Sequence, residues 1–195
     1  MKLYLIRHGE TDWNRQMRFQ GREDVPLNAA GIAQAKICGM ALRDRGITSV
    51  YTSPLKRAYV TGCVIAEQIG LEPEKVHPME ELIERDLGEF SGQFVKDRKD
   101  YFALSAGDDQ CGMEPFLAVQ ERMEAAILKI AKTGEEAVAV VSHGAAINVL
   151  LARLSDHQVG TGKTKLYNGG ISVLTGDAAH GFQIEFCNER PEDFS

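Results

Sequence analysis

Apolar residues form two short unbroken runs, Leu3–Ile6 and Ala137–Val141, in which hydrophobic positions do not alternate with polar ones. Such runs suit strands covered on both faces. Lys2–Arg7 and Ala137–Ser142 are therefore expected as central strands. Elsewhere the period lengthens. Ile32, Ala33, Ile37, Met40 and Ala41 recur at helical spacing, predicting a helix over Ala29–Arg45 with Asn28 as N-cap and Gly46 as C-cap. Residues 8–27 read as a polar loop. Thr48–Thr52 reads as a strand. Ser53-Pro54 sets a capping hydroxyl before a proline, opening a helix to about Ile69 that Gly70 ends. A brief strand is expected at Val76–Met79 and a loop over 80–92. Helices follow at Pro115–Lys132 and from about Ala145 to Leu154. Two late strands, Ile171–Thr175 and Phe182–Phe186, flank a turn at Gly176-Asp177. Residues 93–114 mix charge with aromatics and a Gly-Asp-Asp turn, and read as a helix followed by a mobile, lid-like loop. The tail NERPEDFS reads as solvated.

Strands alternate with helices along most of the chain. That order predicts an α/β fold, a three-layer sandwich with a mostly parallel central sheet and helices on both faces, formed as one domain over residues 1–195. Ligands of such sheets bind beyond the carboxyl ends of the strands. Arg7-His8 and Ser142-His143 both stand at such ends, so two strands deliver a histidine to one rim.

Composition narrows the options. A chain of 195 residues that is 44% hydrophobic can bury a real core. The net charge of −6, with no basic stretch, argues against a nucleic-acid surface. No apolar run approaches the ~18 residues of a membrane span, and residues 3–6 are too short for a signal peptide. A cytoplasmic location is expected. Cys38, Cys63, Cys111 and Cys187 form no CxxC pair, so reduced and mostly buried thiols are expected, with no metal site.

The rim residues suit phosphoryl chemistry. A neutral imidazole nitrogen can attack phosphorus and carry the group covalently. Guanidinium neutralises phosphate bidentately. Arg7 adjoins His8, and Arg57 lies one turn into the helix opened by Ser53-Pro54, at the same rim. His143, if protonated, adds a donor to the phosphoryl oxygens. A leaving alkoxide needs a proton from a carboxylic acid. The acid-rich segment LIERDLGEFSG lies nearby, but the residue pattern leaves Glu80, Glu81, Glu84, Asp86 and Glu89 open. The run Gly160-Thr161-Gly162-Lys163-Thr164 imitates the end of a P-loop. His157 occupies the position where that motif needs its first glycine, and no strand precedes it, so it reads as a flexible turn with a solvated lysine.

The blocks together resemble a known family. RHGET at 7–11 with Asn14, QGREDVPLNAAG at 20–31, SPLKRAYVT at 53–61, LIERDLGEFSG at 82–92 and VVSHGAAIN at 140–148 are similar to the motifs of the histidine phosphatase superfamily, in family order. That superfamily includes the cofactor-dependent phosphoglycerate mutases. The resemblance implies a phosphoglycerate mutase-like fold without metal or cofactor. It implies His8 as nucleophile, forming a phosphohistidine, and Glu84 as proton donor and then base. Arg7, Arg57 and His143 would bind the phosphoryl group, assisted by Asn14, by the backbone around Gln20 and Gly21, and by Gly144. The partner would be a small phosphorylated metabolite, with no nucleic acid or membrane; a homodimer is left open.

Phosphatase and mutase share this pocket. The family's mutases carry a longer basic insertion after the glutamate block. Here residues 93–114 are short, and Lys96, Arg98 and Lys99 alternate with Asp97 and Asp100 on what reads as a helix face. A short lid admits water, so a metal-independent phosphatase is expected. A phosphoglycerate mutase is the runner-up, and a non-catalytic phospho-ligand binding protein a further alternative. Gly112-Met113-Glu114-Pro115 replaces the family's usual G-G-E-S, and Met113 and Phe116 are expected to face the substrate entrance.

Overall fold

A computed structural model describes residues 1–97 and 110–194. The expected lid, and the alternation of Arg98, Lys99 and Asp100 with their neighbours, lie largely outside the described residues. The strands are β1 (Lys2–Arg7), β2 (Ser49–Thr52), β3 (Val76–Pro78), β4 (Ala137–Ser142), β5 (Ile171–Asp177) and β6 (Gly181–Glu189). The helices are α1 (Asp12–Arg15), α2 (Ala29–Ala41), α3 (Lys56–Gln68), α4 (Phe116–Ala131) and α5 (Gly144–Leu154).

One six-stranded sheet runs in the order β3-β2-β4-β1-β5-β6. Its first four strands are parallel, and β5 runs antiparallel to both of its neighbours, β1 and β6. The unbroken apolar runs are explained by burial on both faces. Leu3 and Leu5 of β1 and Val138 and Val140 of β4 point to one core, with Val119, Met123 and Ile127 of α4 and Ile147 and Leu150 of α5. Tyr4, Ile6, Ala139 and Val141 point to the other, with Cys38 of α2 and Ala58 and Ile65 of α3. Helices on both faces complete the three-layer α/β arrangement.

Register then sets the rim. Arg7 pairs with Ser142 across β1 and β4, and Thr52 pairs with Val141 across β2 and β4. The residues after these ends, His8, His143 and Ser53, therefore emerge side by side. The N–H of His8 donates to Ser142 O at 3.0 Å, and that of Ser53 to Val141 O at 2.9 Å.

Several local expectations change. Residues 8–27 hold a four-residue helix, α1, with a Thr11–Asn14 capping box. Asn28 caps α2 by accepting from Gly31 N–H, but α2 stops at Ala41. Helix α3 begins at Lys56, not at Ser53-Pro54; Ser53 Oγ accepts from Leu55 N–H at 3.3 Å and also lies 2.7 Å from His143 Nε2. The turn between the last strands falls at residues 178–180, with Gly176 and Asp177 still in β5. The tail is not wholly solvated: Phe194 meets Tyr4 edge-on at 6.2 Å. Only Cys38 is fully buried; the other three cysteines are half-exposed free thiols.

Candidate active site

His8 is buried and its ring direction is fixed by its neighbour. Nδ1 lies 2.7 Å from the carbonyl oxygen of Gly9. A carbonyl can only accept, so Nδ1 carries the proton and Nε2 keeps its lone pair. The His8 backbone is tied down too: its carbonyl accepts from Asn168 Nδ2 at 3.0 Å, and Gly9 N–H donates to Thr61 Oγ1 at 3.1 Å. Gly9 passes so close to α2 that a Cβ there would lie 2.4 Å from Gly31 O.

His143 sits beside it, with ring centroids 5.1 Å apart. Its Nε2 is 2.7 Å from Ser53 Oγ, and its buried Nδ1 has no partner among the described residues. Burial, then the positive charges of Arg57 and Arg7, holds the His8 imidazole well below the ordinary value of 6.5. Burial, Arg57, His8 and Arg7 do the same to His143. Both rings are neutral near pH 7.

Two guanidinium groups face these rings. Arg57, only 1% exposed, is the second residue of α3 rather than one turn in. Its terminal nitrogens donate to the carbonyls of Glu23 at 2.6 Å and Gly21 at 2.7 Å. Burial lowers its pKa to about 10, against the opposing pull of Glu84 and Asp24, so it stays charged at neutral pH. Arg7 donates to Leu166 O at 2.6 Å. In both arginines Nε is buried without a partner among the described residues, and neither has a carboxylate at ion-pair distance there. Buried cations without a counter-charge are costly unless an anion arrives.

Glu84 reaches the same rim from the loop after β3. Its carboxylate accepts from the N–H of Arg85 at 2.8 Å, Ala145 at 3.2 Å and Ala146 at 3.0 Å. It thus satisfies two free amides of the first turn of α5. Glu80, Glu81, Asp86 and Glu89 make no such contact. Glu81 pairs with Lys129, Asp86 with Arg22, and Glu89 is exposed.

The remaining candidates contribute in different ways. Asn14 Oδ1 accepts from Thr11 N–H at 3.1 Å and lies 3.4 Å from Asn168 Nδ2, leaving its own amide N–H groups without a partner among the described residues. Gln20 Oε1 accepts from Thr11 Oγ1 at 3.1 Å. The Gly21 carbonyl accepts from Arg57 at 2.7 Å, so Gly21 positions the arginine. Gly144 opens α5, and a Cβ there would sit 3.6 Å from Arg7 Nε. Phe116 lines the cleft in front of Arg7. Met113 does not: it is 1% exposed, packed with Leu87 and Phe90.

Ser53 and Thr61, which begin and end the block at 53–61, hold the histidines together with Asn168, which no block marks. Glu114 binds Arg122 bidentately at 2.8 and 2.9 Å, while Arg122 also donates to the carbonyls of Glu81 and Ile83. Arg22 joins Glu114 at 3.2 Å and donates to Glu84 O at 3.1 Å. This clamp grips the backbone on both sides of Glu84. Only three-dimensional contact reveals it.

A directed neutral imidazole, two guanidiniums with no carboxylate at ion-pair distance among the described residues and an adjacent carboxyl group make a candidate phosphoryl-transfer site on a parallel α/β rim. The model of the histidine phosphatase superfamily (branch 1) matches residues 3–190, and the chain belongs to that superfamily. It is a phosphoric monoester hydrolase by that membership and its relatives. It is 33% identical over 187 residues to the uncharacterized phosphatase PhoE of Bacillus subtilis, covering 95% of this chain and 89% of that one. The solved structure of Bacillus stearothermophilus YhfR superposes with a TM-score of 0.84 at 27% identity, covering 96% of each chain. The phosphoserine phosphatase of Entamoeba histolytica, solved with 3-phosphoglyceric acid, superposes with a TM-score of 0.79 at 28% identity, again over 96% of each. No helix among the described residues is long and apolar enough to cross a membrane.

Proposed function

We propose that the chain hydrolyses a small phosphomonoester through a phosphohistidine on Nε2 of His8. The observation that carries this is the pairing of a tautomer-fixed His8 with two buried guanidiniums whose Nε groups have no partner among the described residues. The lone pair of Nε2 attacks phosphorus, and the P–O bond to the alcohol breaks in line. Arg7 and Arg57 hold the phosphoryl oxygens, with His143 and Asn14 donating at the sides. Glu84 gives the departing alkoxide its proton. As carboxylate it then takes a proton from water, whose oxygen attacks phosphorus as the bond to Nε2 of His8 breaks, releasing phosphate and leaving His8 neutral. The positive charge needed at phosphorus comes from the two arginines, which supports hydrolysis without a metal. The full-length similarity to a named phosphatase favours hydrolysis over transfer. The phosphoserine phosphatase holding 3-phosphoglyceric acid points to a small phosphorylated metabolite. Four free thiols suit a reducing, cytoplasmic location, and one sheet spanning Lys2 to Glu189 supports a single domain.

The test is phosphate release from a panel of phosphomonoesters in excess EDTA, together with trapping of an acid-labile phosphoenzyme. Release and trapping are expected in the native chain and absent in His8→Ala. EDTA-sensitive release, or release that survives His8→Ala, would reject the mechanism.

A further inference from the structure

The cleft in front of Arg7 exceeds what a phosphoryl group needs. It encloses about 700 Å3, within the roughly 300–1,000 Å3 typical of pockets for whole small molecules. One end is Arg7 with the first turn of α5. Another wall is residues 161–166, and Phe19, Val95 and Phe116 make an apolar flank. This wall therefore includes the segment whose glycine-rich run imitates a P-loop without being one.

That segment is not a loose turn. Thr161 N–H donates to Asn148 O at 3.2 Å, and Asn148 Nδ2 donates to Thr164 O at 3.0 Å. Gly160 N–H donates to Thr164 Oγ1 at 2.9 Å, and Thr164 N–H returns to Gly160 O at 2.8 Å. Gly160 has φ +92°, and a Cβ there would lie 2.3 Å from Asn148 O, so only glycine allows this close seat on α5.

Two groups on this wall are without partners. Asn148 lies three residues beyond Ala145, on the same face of α5. Its Nδ2 is committed to Thr164, which turns Oδ1 the other way, buried and unpaired among the described residues. Lys165 is exposed, and its ammonium has no partner among the described residues. Lys163 differs, because its ammonium donates to His157 O at 2.5 Å. The described lining contains three cations, Arg7, Lys163 and Lys165, and no carboxylate, in a chain of net charge −6. Such a wall attracts a second anionic group on the substrate, away from the phosphate.

We propose that residues 160–165 and Asn148 form the leaving-group subsite. Lys165 pairs with an anionic substituent on the alcohol portion, and Asn148 Oδ1 accepts from a neighbouring hydroxyl or ammonium. The preferred substrates are then phosphomonoesters of hydroxy or amino acids. This rests on the phosphatase reading and names its selectivity.

The probes are 3-phosphoglycerate and glycerol 3-phosphate, which differ in a carboxylate against a hydroxymethyl group. Their binding to His8→Ala, which cannot turn them over, is measured by calorimetry at low ionic strength. 3-Phosphoglycerate is expected to bind at least about fivefold more tightly, and added salt narrows the gap. In the same background Lys165→Ala brings the ratio to about one, Lys165→Arg keeps it and Lys165→Glu reverses it. Asn148→Ala weakens both probes, which share the C2 hydroxyl, but not 3-phosphooxypropanoate, which lacks it. No initial preference, or a ratio indifferent to the charge at 165, overturns the subsite. Turnover is read separately. A chain that hydrolyses p-nitrophenyl phosphate but ignores residue 165 is a phosphatase without this subsite. One that discriminates the probes yet hydrolyses no phosphomonoester keeps the subsite and loses the proposed function.

Discussion

His8 and His143 are buried side by side, and their depressed imidazoles link the site to stability. Between 6.5 and the lower native value, the unfolded chain binds protons that the native chain refuses. Their contribution is therefore complete above 6.5 and shrinks as the pH falls. Each histidine accounts for up to about 1.4 kcal/mol per pH unit, and the two for about 2.7. Urea unfolding from pH 6.5 to about 5.5 is expected to show a fall in stability, smaller in His143→Asn; a flat profile would mean the rings protonate freely in the native state. Glu84 makes a kinetic prediction. Glu84→Gln is expected to slow an alkyl phosphate by about 10²–10⁴-fold and p-nitrophenyl phosphate, whose leaving group needs no proton, far less. Equal losses would remove Glu84 as the acid. Arg57→Ala is expected to raise KM and lower kcat together, because its fork holds the phosphoryl oxygens in ground and transition states. Residue types and spacing make His8, Arg7, Arg57 and His143 legible as candidates. The choice of Glu84 among five acids is not legible that way. It came first from family resemblance, and its physical basis is contact with the first turn of α5.

Elements meet at places the chain's order does not announce. A glycine inside a helix ordinarily costs roughly 0.5–1 kcal/mol relative to alanine. Gly31 reverses that rule, because a Cβ there would lie 2.2 Å from the backbone oxygen of Glu10. Gly31→Ala is therefore expected to destabilise the chain by about 1–3 kcal/mol, and to cut turnover by displacing the turn that carries His8. A gain in Tm would refute the close approach. Ser53 illustrates why element ends mislead. Ser-Pro reads as a helix start, and the local chemistry permits it. The pairing of β2 with β4 places the hydroxyl beside His143 while it also accepts from Leu55 N–H, and α3 begins only at Lys56. The Glu114–Arg122 pair is a further case. Arg122→Ala should lower kcat more than it raises KM, since it supports the backbone of the proton donor and not the phosphoryl group.

At the scale of the molecule, the rim is a convergence of parallel strand ends, and its excess positive charge makes it a receptor for anions. Orthovanadate at 100 times its Kd is expected to stabilise the chain by about 2.7 kcal/mol, or roughly 5–10 °C in Tm for a chain of this size. Arg57→Ala should lose most of that shift while His8→Ala keeps a larger share; equal shifts in all three would place the anion elsewhere. What the sequence determined by itself is local: which segments are doubly covered strands, which are helices, and which chemistry-bearing residues follow strand ends. These follow from periodicity and capping, which act over a few residues. The tertiary structure alone decided what the carboxylate of Glu84 touches, that Asn168 holds the carbonyl of His8, that Met113 is buried while Phe116 lines the cleft, and that residues 161–165 line it too. Those depend on register across the sheet and on helix seating, where residues more than a hundred positions apart come within hydrogen-bond distance.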